Sequence, residues 1–143
     1  MLRFGLLGAG RIGQIHGRNA AASPKSTLVA IADPMPKGAE SLAAATGAEI
    51  CGIDAIFSSK DIDAVMICTP TTTHADFIER AAKAGKAIFC EKPVDLDSKR
   101  VKKTLKIVED TGAMLMVGFN RRFDPNFSAL KARIDAGVAG AVE

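Results

Sequence analysis

The chain has 143 residues, 48% of them hydrophobic and 24% charged, with a formal net charge of +3. That length suffices for one domain with a substantial core and is too short for two. The small positive charge gives no case for nucleic acid or a membrane surface as partner, and no apolar stretch approaches the roughly 20 residues needed to span a bilayer.

The opening "MLRFGLLGAG" has a short apolar run broken by glycines and no small-residue cleavage site, so it reads as a strand and not as a signal peptide. "LRFGLLG" is the first predicted strand, and a helix is predicted from Arg11 to about Ala22. "STLVAIAD" is a second strand, with a helix from Pro36 to Thr46 after it and a weaker strand near Ala48 to Cys51. "DAVMICT" is the next strand, "THADFIERAAKAG" a helix ending at Gly85, and "KAIFCE" a strand. A long helix runs from about Asp97 to Thr111 and closes at Gly112; "AMLMVGF" is the sixth strand and "DPNFSALKARIDAG" the last helix. The basic run "SKRVKKTLK" carries Val101, Leu105 and Val108 at helical spacing, which marks a solvated helix face and not a polyanion site. Near-continuous apolar strands alternating with helices predict an α/β fold, a doubly wound parallel sheet of the Rossmann type, with ligands at the carboxyl ends of the strands. Cys51, Cys68 and Cys90 are odd in number, widely spaced and beside apolar runs. They read as small buried hydrophobes in a reducing compartment, the cytoplasm by default, without metal-ligand spacing.

Gly8-Ala9-Gly10-Arg11-Ile12-Gly13 is a G-x-G-x-x-G that leaves the first strand and opens the first helix, the context that gives the pattern meaning. Gly8 allows the tight turn, Gly10 the close approach of a pyrophosphate, and Gly13 close helix–strand packing. The N–H groups of Arg11 and Ile12 then face the phosphates at a helix N-terminus. Asp33 ends the second strand twenty residues after Gly13, where an acid accepts hydrogen bonds from adenosine ribose hydroxyls. It repels a 2′-phosphate, and only Lys37 stands near it as a cation, so the cofactor is expected to be NAD and not NADP.

At later strand ends, Thr69 and Pro70 are placed beside a nicotinamide ribose, with Thr72 or Thr73 capping the next helix. His74 has two readings, cofactor contact or plain packing at a helix start. His16 reads as a packed or surface histidine, because no acid accompanies it in sequence. Arg121 and Arg122 either contact a polar substrate or the cofactor's phosphates, or one of them pairs with Asp124 at the surface.

"GAGRIG", "TPTTTHAD", "AGKAIFCEKPVDLD" and "VGFNRRFDP" stand in order along essentially the whole chain. As a set they resemble the Gfo/Idh/MocA oxidoreductase family, and within it the branch that oxidises inositols. Thr71 departs from the Asn that many members carry after Thr-Pro. The resemblance implies NAD-dependent oxidation of a cyclic polyol or sugar hydroxyl to a ketone, with myo-inositol favoured. It puts Glu91 near the nicotinamide ribose, makes Lys92 the catalytic residue that hydrogen-bonds the reacting hydroxyl, and lines the substrate side with Asn120 and Arg121. It also implies a cis peptide before Pro93. Elementary chemistry agrees about Lys92, since a fixed ammonium stabilises the negative charge that grows on oxygen as hydride departs. Family members are more than twice this long. Residues 1–143 are therefore expected to be the NAD-binding domain, the second domain, which carries substrate contacts and assembles homo-oligomers, lying outside the chain. Alone, the chain is expected to bind NAD and to turn over poorly. The alternatives are a non-catalytic dinucleotide sensor on the same fold, or a dehydrogenase for another sugar.

Overall fold

The structure, a computed structural model, describes residues 1–138 and residue 140. Six strands form one parallel sheet: β1 (Leu2–Leu7), β2 (Ser26–Ala32), β3 (Glu49–Ile50), β4 (Ala64–Ile67), β5 (Ala87–Cys90) and β6 (Leu115–Val117). Their order across the sheet is β3-β2-β1-β4-β5-β6. The chain builds outward from β1 in one direction, then returns to β1's other side with β4. A crevice therefore opens above β1 and β4, where successive connections leave in opposite directions.

Among the described residues, six α-helices connect and follow the strands: α1 (Arg11–Ala22), α2 (Pro36–Thr46), α3 (Ile53–Ser58), α4 (His74–Lys83), α5 (Ser98–Thr111) and α6 (Pro125–Asp135). Strand residues alternate between two cores, as a period of two requires. Leu6, Ile31 and Met66 join Ala20 and Leu42 under α1 and α2. Leu7, Val65 and Ile67 join Ile56, Ile78 and Val108 under α3, α4 and α5. Both sheet faces are thus covered, which explains why the strands read as unbroken apolar runs.

Local signals set the helix ends. Asp97 caps α5 by accepting the Lys99 N–H at 2.9 Å, and Asp124 caps α6 through Asn126 at 2.9 Å. Gly47 and Gly112 close α2 and α5 in the left-handed conformation, at φ 75° and 65°. The predicted cap at Thr72 or Thr73 is corrected: Thr73 occupies the N-cap position of α4, but its hydroxyl bonds the Pro70 carbonyl and the Thr69 hydroxyl instead. Helix α3 was not expected; at six residues it is too short for helical periodicity to be distinguished from a loop.

Cys68 and Cys90 are buried as expected, and Cys51 is half-buried. Burial pushes the Cys68 and Cys90 thiols up to about 12, so both stay protonated. Alkylation of the native chain with iodoacetamide at about pH 8 is expected to modify Cys51 first. Peptide mapping should find Cys68 and Cys90 modified only after denaturation; early labelling of either would contradict their burial.

The C-terminal end of the described chain differs from the rest. Helix α6 has no buried residue. Met116, Phe119, Phe123, Phe127 and Leu130 are all about half exposed or more, a run of apolar surface along β6, the short 3₁₀ turn Asn120–Phe123 and α6.

Candidate functional site

Parallel register lines up the strand ends. Leu7 pairs with Ile67, Ile67 with Cys90, and Cys90 with Val117. The next residues continue the ladder: the N–H of Cys68 bonds the Leu7 carbonyl at 2.8 Å, Glu91 that of Ile67 at 2.9 Å, and Gly118 that of Cys90 at 2.8 Å. Gly8, Cys68, Glu91 and Gly118 therefore stand in a row along one edge, though they span more than a hundred residues of sequence.

The glycine turn occupies the β1 end of this row. Gly8 has φ 89°, and a Cβ there would lie 2.7 Å from the Cys68 carbonyl oxygen. A Cβ at Gly13 would lie 1.9 Å from the Gly8 oxygen, so α1 packs directly on the turn. At Gly10 a Cβ meets nothing within 4 Å, which leaves open space before an N-terminus whose cap makes no side-chain bond. The N–H groups of Arg11 and Ile12 lack intrahelical partners by their position in the first turn. They face a cleft of about 530 Å³, bordered also by Asp33, Met35, Thr69 and Pro70. Open space, uncapped donors and a helix dipole suit a diphosphate.

Asp33 also braces the turn. Its Oδ2 accepts the Ala9 N–H at 2.6 Å and its Oδ1 the Met35 N–H at 2.7 Å. Each oxygen keeps a lone pair for a ribose hydroxyl. From the other side, Gln14 Nε2 donates to the carbonyls of Ala9 at 3.1 Å and Gly38 at 2.7 Å, tying α1, the turn and α2 together.

A second cleft, about 400 Å³, shares Arg11, Ile12, Thr69 and Pro70 with the first and continues to Glu91, Lys92 and Asn120. The two form one trough along the strand ends. Lys92 is exposed, and its ammonium has no hydrogen-bond or ion-pair partner among the described residues. The Lys92–Pro93 bond is cis. Asn120 and Arg121 lie on the 3₁₀ turn after β6 and border a smaller recess with Lys92. Arg121 stacks on Phe127 at 5.1 Å and stands 3.4 Å from Asp124, so the expected surface pair is present beside that recess.

Both histidines take partners that the sequence does not signal. His74 borders the lower cleft, but it is 2% exposed, and its Nδ1 and Nε2 face the carbonyls of Pro93 and Thr69, each at 2.7 Å. Both ring nitrogens thus face backbone carbonyls, the arrangement that the packing reading expects. His16 does have an acid beside it: its Nε2 meets Glu91 Oε1 at 2.7 Å, across 75 positions of sequence. Neither pairing has a local signal. Gln14 and Gly38 were missed for the same reason, because their roles depend on how α1 and α2 pack.

Residues 2–119 match a protein-family pattern, GFO_IDH_MocA, described as an oxidoreductase family with an NAD-binding Rossmann fold. The chain is 61% identical over 142 residues to the inositol 2-dehydrogenase of Rhizobium meliloti (strain 1021), covering 99% of this chain and 43% of that protein. It superposes on a myo-inositol dehydrogenase from Corynebacterium glutamicum with a TM-score of 0.87 at 46% identity, covering 100% of this chain and 43% of that one. Scyllo-inositol dehydrogenase from Lactobacillus casei, solved with bound NAD(H) and scyllo-inositol, gives 0.90 at 30% identity, covering 98% and 42%. The chain thus spans less than half the length of the relatives it matches.

Proposed function

Because this chain belongs to the GFO_IDH_MocA oxidoreductase family, we propose that it forms the NAD-binding portion of an enzyme oxidising a ring hydroxyl of a cyclic polyol, myo-inositol first, to a ketone. The observation that carries the reading is the ammonium of Lys92, without a partner among the described residues, at the end of a trough that begins at the glycine turn.

The residues divide the work along that trough. Gly10 leaves room for the diphosphate, and the Arg11 and Ile12 N–H groups donate to it. Asp33 receives the adenosine ribose hydroxyls. Thr69, Pro70 and Glu91 border the position of the nicotinamide ribose. NAD, when bound, supplies the hydride acceptor. Lys92 donates a hydrogen bond to the reacting hydroxyl, stabilises the charge developing on its oxygen as hydride departs, and relays the proton, handing one of its own to a base beyond these residues as it takes up that of the hydroxyl. Asn120 and Arg121 hydrogen-bond the remaining ring hydroxyls. Further substrate groups and the contacts of a homo-oligomer come, in this proposal, from polypeptide beyond these residues, which the exposed apolar run on β6 and α6 supports. Three free thiols, two of them buried, suit a reducing cytoplasm.

Titration of the chain with both dinucleotides tests the cofactor end. NAD should bind roughly tenfold or more tightly than NADP, since a 2′-phosphate would sit against the Asp33 carboxylate. Equal affinities would overturn the role of Asp33. The intact enzyme should reduce NAD with myo-inositol or scyllo-inositol, and failure with every cyclic polyol offered would overturn the substrate class.

A further inference from the structure

The chain has two histidines, and the fold brings both to one tripeptide, Glu91-Lys92-Pro93. They come from helices on opposite faces of the sheet, His16 from α1 and His74 from α4. Lys92 has a long flexible stem and, among the described residues, nothing to hold its ammonium, so its aim depends on how firmly its neighbours are held. We propose that His16 and His74 are positioning residues that clamp this turn and aim Lys92 into the trough; the inference rests on the functional reading above.

On one side, His16 Nε2 meets Glu91 Oε1 at 2.7 Å. A carboxylate only accepts, so the ring donates there. The ring is itself held edge-on against Phe89, centroids 4.8 Å apart. The other carboxylate oxygen, Oε2, accepts the backbone N–H of Lys92 at 3.2 Å. Gly118 makes room for this arrangement, because a Cβ there would come within 3.1 Å of Glu91 Oε1. Through Glu91, the helix whose first turn faces the diphosphate site also reaches the backbone of Lys92.

On the other side, the His74 ring spans the ends of β4 and β5, between the carbonyls of Thr69 and Pro93. Carbonyl oxygens only accept, so the ring donates to one of the two through whichever nitrogen carries its proton. A phenyl ring fills the same space and donates to neither. Glutamine keeps an N–H donor there. Glu91 and Pro93, on either side of Lys92, thus each have an imidazole nitrogen at 2.7 Å.

Hydrogen exchange of the backbone amides in this chain, followed by NMR, separates a clamp from ordinary packing without any appeal to activity. In His16→Phe the Lys92 amide should exchange roughly tenfold faster, because its acceptor is no longer held, while the ladder amide of Glu91 keeps its rate. If both amides accelerate together, or neither changes, His16 is a packing residue and the clamp is overturned on that side. In the intact enzyme, His16→Phe and His74→Phe should lower kcat roughly 10- to 100-fold, the scale of a misplaced reacting group, with NAD affinity preserved. His74→Gln should recover part of that loss, and it replaces His74→Phe should the latter not fold. A fall in kcat that follows the folded fraction alone overturns the proposal. An inactive wild-type enzyme would remove the functional reading, while the exchange rates would still decide whether the turn is clamped.

Discussion

Replacing Lys92 by Ala in the intact enzyme is expected to lower kcat by roughly 10²- to 10⁴-fold, the range for losing a positioned proton-transfer group, with little change in NAD affinity. The separation of the two effects follows from placement. Lys92 borders one end of the trough with Asn120, while the end proposed for the diphosphate and adenosine is lined by the glycine turn and Asp33. The amine bears no part of the fold, since it is exposed and without a protein partner among the described residues. Lys92→Arg keeps the charge but cannot give up its proton, so it should not restore turnover. Steady-state kinetics beside calorimetric NAD titration checks both statements. Unchanged turnover in Lys92→Ala would favour the alternative of a dinucleotide sensor, in which that amine has no task.

The second large effect is expected at Gly13, and Gly10 is its control. A Cβ on Gly13 would lie 1.9 Å from the oxygen and 2.9 Å from the carbon of the Gly8 carbonyl. Both atoms are backbone, so the clash cannot be relieved by a rotamer change, and α1 must move away from the turn. Gly13→Ala should cost about 3 kcal/mol or more, the upper end for overpacking, and should abolish NAD binding in whatever remains folded. Gly10→Ala introduces a Cβ that meets no atom within 4 Å. Its φ of −67° suits any residue, so the stability cost should stay under about 1 kcal/mol. That Cβ nevertheless occupies the space left for a diphosphate. Thermal unfolding and NAD titration should therefore separate the two glycines: both substitutions lose binding, but only Gly13→Ala loses stability. NAD binding at full strength in Gly10→Ala would place the diphosphate elsewhere.

The parts of the fold legible in sequence are those with a local cause. Apolar runs of strand length, helix stops at Gly47, Gly85 and Gly112, and the cap at Asp97 each act over a few residues. The glycine motif was legible for the same reason, because strand, turn and helix are contiguous from Leu2 to Ala22. Helix α3 was not, at six residues, and neither was the loss of the cap at Thr73, whose hydroxyl finds nearer partners in Thr69 and Pro70. The family likeness extended the reading to Glu91, Lys92, Asn120 and Arg121, whose chemistry their own spacing does not reveal.

What the sequence determined by itself was the strands and the helices other than α3, the crevice end of the strands, and the candidate residues for a dinucleotide there. Those follow from periodicity and from backbone conformations that only certain residues adopt. Tertiary structure alone decided which partners the polar side chains take. His16 lies 75 positions from Glu91, and His74 lies 19 from Pro93. Hydrogen bonds of that kind depend on sheet register and helix packing to within an ångström, and no pattern along one chain encodes such a distance. The two histidines are the clearest instance: unremarkable in sequence, they converge from opposite faces of the sheet on the turn that carries Lys92.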